Sequence, residues 1–247
     1  MGTVIVVTSG KGGTGKTSFT GGVSSCLAAL GKRVLCLDAD VGLRNLDLSL
    51  GLTDRALMDF SDVLAGRASL SEAAAEQPDI PGLFLLTAPL SLPETESDLS
   101  SLLPEVRRNF DYCLIDCPAG IGRGFRRAAA GADRAVVVTT TDASSLRDAQ
   151  RTVAELGAPG ALEIGQVHLV VNRVQKKLLR KLRSNLDDAM DEAGLPLLGV
   201  VPEDAAVMLA ANRGVPLVLT GPGGAARAYL NIARRLLGER VPVMRIR

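Results

Sequence analysis

The sequence predicts a single α/β domain: a twisted, mostly parallel sheet of about seven or eight strands flanked by helices on both faces. Three observations predict it. Short apolar runs rich in β-branched residues recur along the chain and alternate with segments of helical apolar spacing, the pattern of strands buried on both sides. The first such run, Thr3 to Thr8, leads straight into a glycine-rich loop and then a helix. No Pro-, Gly- or Ser-rich linker divides the 247 residues, so 1–238 read as one domain and 239–247 as a short tail.

The loop reads G-K-G-G-T-G-K-T from Gly10 to Thr17 and satisfies the phosphate-loop pattern G-x-x-x-x-G-K-[ST], with Gly10, Gly15, Lys16 and Thr17 in the fixed places. Gly10, Gly12, Gly13 and Gly15, with Thr14 among them, let successive N–H groups turn inward around a phosphate chain. The helix beginning near Lys16, with Ser18 in its first turn, adds unpaired N–H groups and the positive end of its dipole. Lys16 supplies a charge for β- and γ-phosphates, and the Thr17 hydroxyl is placed to ligate Mg²⁺. Strand, loop and helix together specify a P-loop NTPase fold.

Bulk properties exclude several classes. A formal charge of +1 gives no general affinity for nucleic acid, so any basic surface must be local. Aromatics are 3% with no Trp, which removes a base-stacking platform for single strands. No uninterrupted apolar stretch reaches the about 18 residues of a membrane span, and Gly2 to Thr8 read as a strand rather than a secretory leader. Cys26, Cys36, Cys113 and Cys117 fall inside helix and strand segments without C-x-x-C spacing, which reads as reduced structural thiols in a cytosolic protein. The expected location is cytoplasmic.

After the loop, Ser18 to Leu30 read as a helix with Val23, Leu27 and Leu30 on one stripe and Gly31 as its stop. Arg33 to Leu37 is the second strand and delivers Asp38 and Asp40 at its C-terminal end, where open parallel sheets place ligands. Beside a triphosphate, carboxylates at this spacing suit metal and water handling, with loop capping as the alternative. Ala56 to Leu64 and Leu70 to Ala75 read as two short helices, and Gly82 to Thr87 as a third strand. Pro89 to Asp98 is polar and turn-rich, and Leu99 to Phe110 returns to helical spacing. Asp111 to Asp116 is an apolar strand ending in an acid, the Walker B form, which brings Asp116 to the Mg²⁺ shell. Arg134 to Thr140, Gly165 to Val171 and Leu197 to Val201 complete seven strands. Ala205 to Asn212 and Gly223 to Leu237 are the closing helices. His168, the one histidine, lies mid-strand and reads as core. From Val174 to Ala193, Lys176, Lys177, Arg180, Lys181 and Arg183 precede Asp187, Asp188, Asp191 and Glu192, an order that opposes the helix dipole. A solvated face with pairs such as Arg183 and Asp187, or a basic surface for a partner, DNA or lipid headgroups, both fit it.

Lys11 is a second lysine that ordinary phosphate loops do not require. With it, Lys11 to Thr17 match K-G-G-x-G-K-[ST], and the sequence resembles the deviant Walker A ATPases of the ParA/MinD superfamily. D-A-D followed by Val41 to Leu52, D-x-P-A-G-I over Asp116 to Ile121, and the helix opening at Ser144 resemble the cell-division (MinD) members more than the DNA-segregation or flagellar-number ones.

The resemblance implies an ATPase that dimerises on ATP-Mg²⁺ and hydrolyses ATP slowly until a partner stimulates it, as a switch in the spatial regulation of septum placement. Lys11 would reach across that homodimer to the partner's nucleotide, acting with Lys16 and with Asp40, which orients the attacking water. Asp38 would lie in the second shell of the Mg²⁺ that Thr17 ligates, with Asp116 near the same shell, and Asn45 and Asp148 near the dimer surface. Asn172 would contact adenine beside Arg173, and Pro202-Glu203-Asp204 would close over the base. The implied partners are a division inhibitor and an ATPase activator. A ParA-like DNA-segregation or flagellar-number ATPase of the same fold is the alternative, with DNA as the second choice of partner.

The chain departs from the resemblance at two places. Cys117 replaces a small polar residue; it reads as a small buried side chain in preference to a redox site. After Gly238 only nine residues follow, Glu239 to Arg247, with Pro242 inside, where the family carries an amphipathic membrane helix. Nine helical residues would span about 13 Å, and the proline obstructs even that. Peripheral contact with the inner face of the cell membrane therefore stays open beside the cytoplasmic location.

Overall fold

The computed structural model describes residues 1–91, 99–157, 166–175, 190–191, 193–244 and 246. Lys176 to Arg183, Asp187, Asp188 and Glu192 lie outside these, as does most of the turn-rich stretch Pro89 to Asp98.

Eight strands form one sheet: β1 (Thr3–Thr8), β2 (Val34–Asp38), β3 (Ala75–Glu76), β4 (Leu83–Leu86), β5 (Tyr112–Asp116), β6 (Arg134–Thr139), β7 (Val167–Val174) and β8 (Leu197–Pro202), in the order β3-β4-β2-β5-β1-β6-β7-β8. All neighbours run parallel except β3 and β4. The helices are α1 (Lys16–Ala29), α2 (Leu46–Leu50), α3 (Phe60–Leu64), α4 (Leu70–Ala73), α5 (Leu103–Asn109), α6 (Arg123–Ala129), α7 (Ala143–Leu156), α8 (Ala205–Asn212) and α9 (Gly224–Leu236). The α/β reading of the sequence holds, with corrections. The antiparallel β3 was not among the seven strands read, and it ends the helix expected to run to Ala75 at Ala73, because Ala75 pairs with Leu85. The helix expected from Ala56 begins only at Phe60, where Asp59 caps it by accepting from Ser61 N. The sequence reading passed over α6 entirely. β7 runs on to Val174, so Asn172 and Arg173 lie within the strand and not after it.

Strand residues alternate between two cores. Val4 and Val6 of β1 face a layer that includes Phe60, Val106, Phe125 and Leu146, while Ile5 and Val7 face Phe19, Leu27, Tyr229 and Ile232. Burial on both sides is why β1 reads as an unbroken apolar run. On the second face α1 and α9 approach closely through Gly22: a Cβ there would stand 2.3 Å from Tyr229 Cδ2. Phe19 meets the same ring edge-on, with centroids 6.0 Å apart. Gly22→Ala should therefore destabilise the fold by about 1–2 kcal/mol, overpacking outweighing the gain in helix propensity. Tm would fall by about 2–4 °C for each kcal/mol in a chain of this size. A thermal melt checks this; an unchanged or raised Tm would mean that α1 and α9 part without loss.

β8 is an edge strand, and the tail crosses its free side. Arg235 donates from Nε and Nη2 to the Val241 carbonyl at 2.8 and 2.6 Å and from Nη1 to the Leu198 carbonyl at 2.6 Å. Met244 packs against the α1–α9 core and Ile246 against the opposite one. An open strand edge invites pairing with another chain, and this strap covers it.

Candidate functional site

The register of the parallel strands sets the site. Val7 and Asp38 both stand opposite Asp116, so the ends of β1, β2 and β5 come level at one edge of the sheet. The loop after β1 lies there, beside the point where the chain passes from β5 to β6 on opposite sides of β1, the position at which such sheets hold ligands.

Gly15, at φ +88°, turns the loop into α1, and a Cβ there would lie 2.4 Å from Asn172 Nδ2. The N-terminus of α1 has no side-chain cap and no acid in its first turn, whereas Asp59, Ser69, Asp142 and Asp204 cap α3, α4, α7 and α8. The orphan N–H groups of α1 are therefore left for a ligand. The loop is held from behind by β7: Asn172 Nδ2 donates to the Thr14 carbonyl at 2.8 Å and Arg173 Nη1 to the Gly13 carbonyl at 3.0 Å. In a trans peptide C=O and N–H point oppositely, so these two bonds turn the N–H groups of Thr14 and Gly15 toward the loop's other side. The buried Thr14 hydroxyl finds no hydrogen-bond partner among the described residues. Uncapped helix, oriented amides and an unpaired hydroxyl fit a polyphosphate.

Behind the loop lies an acidic cluster facing Lys16, which is nine-tenths buried. The Thr17 hydroxyl donates to Asp116 Oδ2 at 2.6 Å, which leaves its oxygen lone pairs free for a cation. The Thr20 hydroxyl lies 3.3 Å from Asp116 Oδ1. Burial pushes the Asp116 carboxyl up, against the pull of Lys16 and then of the two threonine hydroxyls. Asp38, also buried, accepts from Asp40 N at 2.9 Å and Leu46 N at 3.3 Å; it pins the loop that carries Asp40 and stands in for a cap at α2. Burial, with Asp116 beside it, moves the Asp38 carboxyl to about 7, despite the hydrogen bond from Asp40 N. Because this folded value is raised, the group costs the protein stability as the pH climbs from about 4 to about 7. Asp40 is less buried; burial raises it while Lys16 holds it down. Among the described residues no three acids, histidines or cysteines form a metal-holding group by themselves, so a divalent cation would take the Thr17 oxygen as its direct ligand, with the acids behind it.

On the far side of Gly15 a cavity of about 510 Å³ is lined by Ser18, Asn172, Arg173, Pro202, Glu203 and Tyr229 among others. The Asn172 amide is oriented by its bond to Thr14, so it offers Oδ1, an acceptor. That suits the 6-amino group of adenine and opposes the 6-oxo group of guanine. Asp204 lines the cavity too, but its oxygens accept from Ala206 N and Ala225 N at 2.9 Å, joining α8 to α9.

The structure thus gathers Gly10, Gly12 to Ser18, Asp38, Asp40, Asp116, Asn172, Arg173 and the turn Pro202 to Asp204 around one cleft. Lys11 is set apart. Its Nζ lies 3.1 Å from Asp142 Oδ1 and 2.8 Å from Ser144 Oγ, on the outer lip of the loop. Asp148 lies behind the loop, its backbone against Gly10, and its carboxylate reaches Arg151. Three contributors escaped the sequence reading. Thr20 follows Thr17 at helical spacing and could have been suspected, and T-D-A-S-S is an N-cap signal that marks Asp142. Arg44, at φ +44°, donates from Nη2 to the Ala56 carbonyl and Thr87 Oγ1, both at 2.9 Å; no local pattern announces that bond. The four cysteines are free and buried, with burial pushing Cys26 and Cys36 up to about 12 and Cys117 well upward, so thiolate chemistry is suppressed. His168 is half-buried in β7.

The nucleotide-binding domain of the CobQ/CobB/MinD/ParA proteins matches residues 5–217. The chain is 41% identical to the septum site-determining protein MinD of Synechocystis over 99% of this chain and 92% of that protein, and 40% identical to that of Bacillus subtilis over 98% and 92%. Its fold superposes on a chain of the MinC:MinD cell division protein complex from Aquifex aeolicus with a TM-score of 0.88 at 36% identity, covering 98% of each chain. MinD complexed with Mg-ADP from Pyrococcus horikoshii gives 0.82 at 30% identity, covering 96% of each. A ParA family ATPase from Chlorobium tepidum, 20% identical over 95% of this chain and 99% of its own, shares the fold at 0.80. The chain belongs to the CobQ/CobB/MinD/ParA nucleotide-binding family, in its septum site-determining MinD branch.

Proposed function

We propose that this chain is an ATP-driven switch in septum-site placement: it dimerises on binding ATP with Mg²⁺, turns over slowly alone, and is reset by hydrolysis. The loop amides and Lys16 bind the triphosphate and Asn172 accepts from the adenine amino group. Thr17, with Asp116 and Asp38, would hold Mg²⁺, which would supply charge neutralisation at the β- and γ-phosphates. Asp40 accepts a hydrogen bond from the attacking water and aligns it, so that catalysis consists of positioning and electrostatics. A division inhibitor and an ATPase activator are the partners this reading calls for; the fold's likeness to the MinC:MinD cell division complex of Aquifex aeolicus supports the first of them. No helix of the described residues is long and apolar enough to cross a membrane, and membrane contact is left to the test below.

The observation that carries the dimer is the position of Lys11. Its side chain is 40% exposed and bonded to the rim, at Asp142 and Ser144, away from the buried Lys16. An exposed ion pair of this kind holds by about 1 kcal/mol or less, so a second copy's phosphates can outbid Asp142 for it. Sedimentation of the protein with ADP and then with ATP and Mg²⁺ tests this. Wild type should be monomeric with ADP and dimeric with ATP, and Lys11→Ala should bind ATP yet stay monomeric. An ATP dimer in that variant would refute the cross-subunit lysine. Anionic liposomes in the same experiment report whether the dimer pellets with lipid.

A further inference from the structure

Arg173 is strained and tightly held at once. It sits at φ +55°, in the left-handed region that costs a β-type residue about 1 kcal/mol or more, where the register of β7 against β8 breaks between Val171 and Val174. That bulge throws the side chain across the cleft. Its guanidinium forks onto Glu203, Nε to Oε2 at 2.9 Å and Nη2 to Oε1 at 3.2 Å, while Nη1 holds the Gly13 carbonyl. Glu203 belongs to the turn after β8 and Gly13 to the phosphate loop, so one side chain ties together the two walls of the cleft. The pair lines both the base cavity of about 510 Å³ and a second depression of about 270 Å³ beside Lys11 and Asp142. It forms the partition between them.

We propose that the Arg173–Glu203 fork is a retention clip: closed, it fastens the base-side turn to the phosphate loop and sets how long a nucleoside phosphate stays bound. This rests on the nucleotide site argued above. Arg173 acts through Gly13 and Glu203 and is a positioning residue. The fork is half exposed, so it opens often enough to admit ligand, and its two parallel bonds make it close in a single geometry. Opening it leaves the guanidinium held by Nη1 on the Gly13 carbonyl alone, without the brace that fixes its direction, so the peptide that carries the Thr14 amide is less firmly set. Base side and phosphate side would loosen together.

Stopped-flow release of a fluorescent ADP analogue, with Mg²⁺ and a chase of unlabelled ADP, tests the clip on the full chain. Arg173→Ala and Glu203→Ala should each speed release by about three- to tenfold, as expected for a partly exposed bidentate pair. The double variant should release no faster than Arg173→Ala alone, because each substitution opens the same fork. Exchanging the charges, Arg173→Glu with Glu203→Arg, should release more slowly than either single reversal at unchanged Tm, which shows that the two side chains act on release through each other and not through overall stability. Glu203→Ala removes only a turn side chain and keeps the test valid if Arg173→Ala misfolds. Unchanged release in Glu203→Ala, or effects that multiply in the double variant, would overturn the clip. Wild-type protein that fails to bind the analogue would overturn the nucleotide site itself, and the clip with it.

Discussion

Lys16→Ala should abolish useful nucleotide binding. Lys16 is 8% exposed and stands among Asp40 and Asp116, so its charge works where water screens little. Removing one partner of a buried charge pair costs about 2–5 kcal/mol, which is about thirtyfold to several-thousandfold in affinity. Alanine leaves the phosphates facing buried carboxylates with no side-chain cation between them, which places the loss toward the upper end. Calorimetric titration with ATP and Mg²⁺ measures it, with a melting curve to show that the variant is folded. Micromolar affinity retained in folded Lys16→Ala would remove the loop as the phosphate site.

Asp40→Ala separates binding from turnover. The side chain is held by its loop: Asp38 accepts from the Asp40 N–H, so the peptide stays in place when the carboxylate is gone. The phosphate contacts of the loop and Thr17 do not involve Asp40. ATP affinity should therefore change by no more than a few-fold, while kcat falls by about 10²–10⁴-fold, the usual contribution of a positioned acid or base. Burial raises the Asp40 carboxyl above its ordinary value, which makes its carboxylate a stronger hydrogen-bond acceptor, while Lys16 holds it down. Phosphate release at saturating ATP is the measurement, alongside sedimentation, in which the variant should accumulate as the ATP dimer. Normal turnover would move the water-positioning role to another group.

What could be read in the sequence was what depends on neighbours in the chain. Phosphate binding needs glycines, a lysine and a hydroxyl at fixed spacing, and a parallel sheet needs doubly buried strands; both leave local patterns, so the loop, Asp38, Asp40 and Asp116 could be found. Contacts made across the fold leave none. Nothing near Arg44 predicts that it reaches Thr87, and nothing near Asp204 predicts that its carboxylate is spent on Ala225. β3 is two residues long, too few to show alternation. α6, R-G-F-R-R-A-A, has a glycine in its first turn and only Phe125 and Ala128 buried, so its apolar stripe was too thin to register. Asn172 was found but its local role was not: that it steadies the phosphate loop follows only from β7 lying beside Gly15.

The strap over β8 has a mechanical consequence. Arg235 rivets the tail to the carbonyl of Leu198, where the register of β8 against β7 shifts, near the start of the strand that ends at Pro202, one residue before Glu203. A strand transmits load along its backbone with little stretch, at about 3.3 Å per residue. Leu198 and Glu203 are thus the two ends of a stiff rod about 17 Å long. Whatever grips the tail also grips the far end of the rod whose other end lines the cleft.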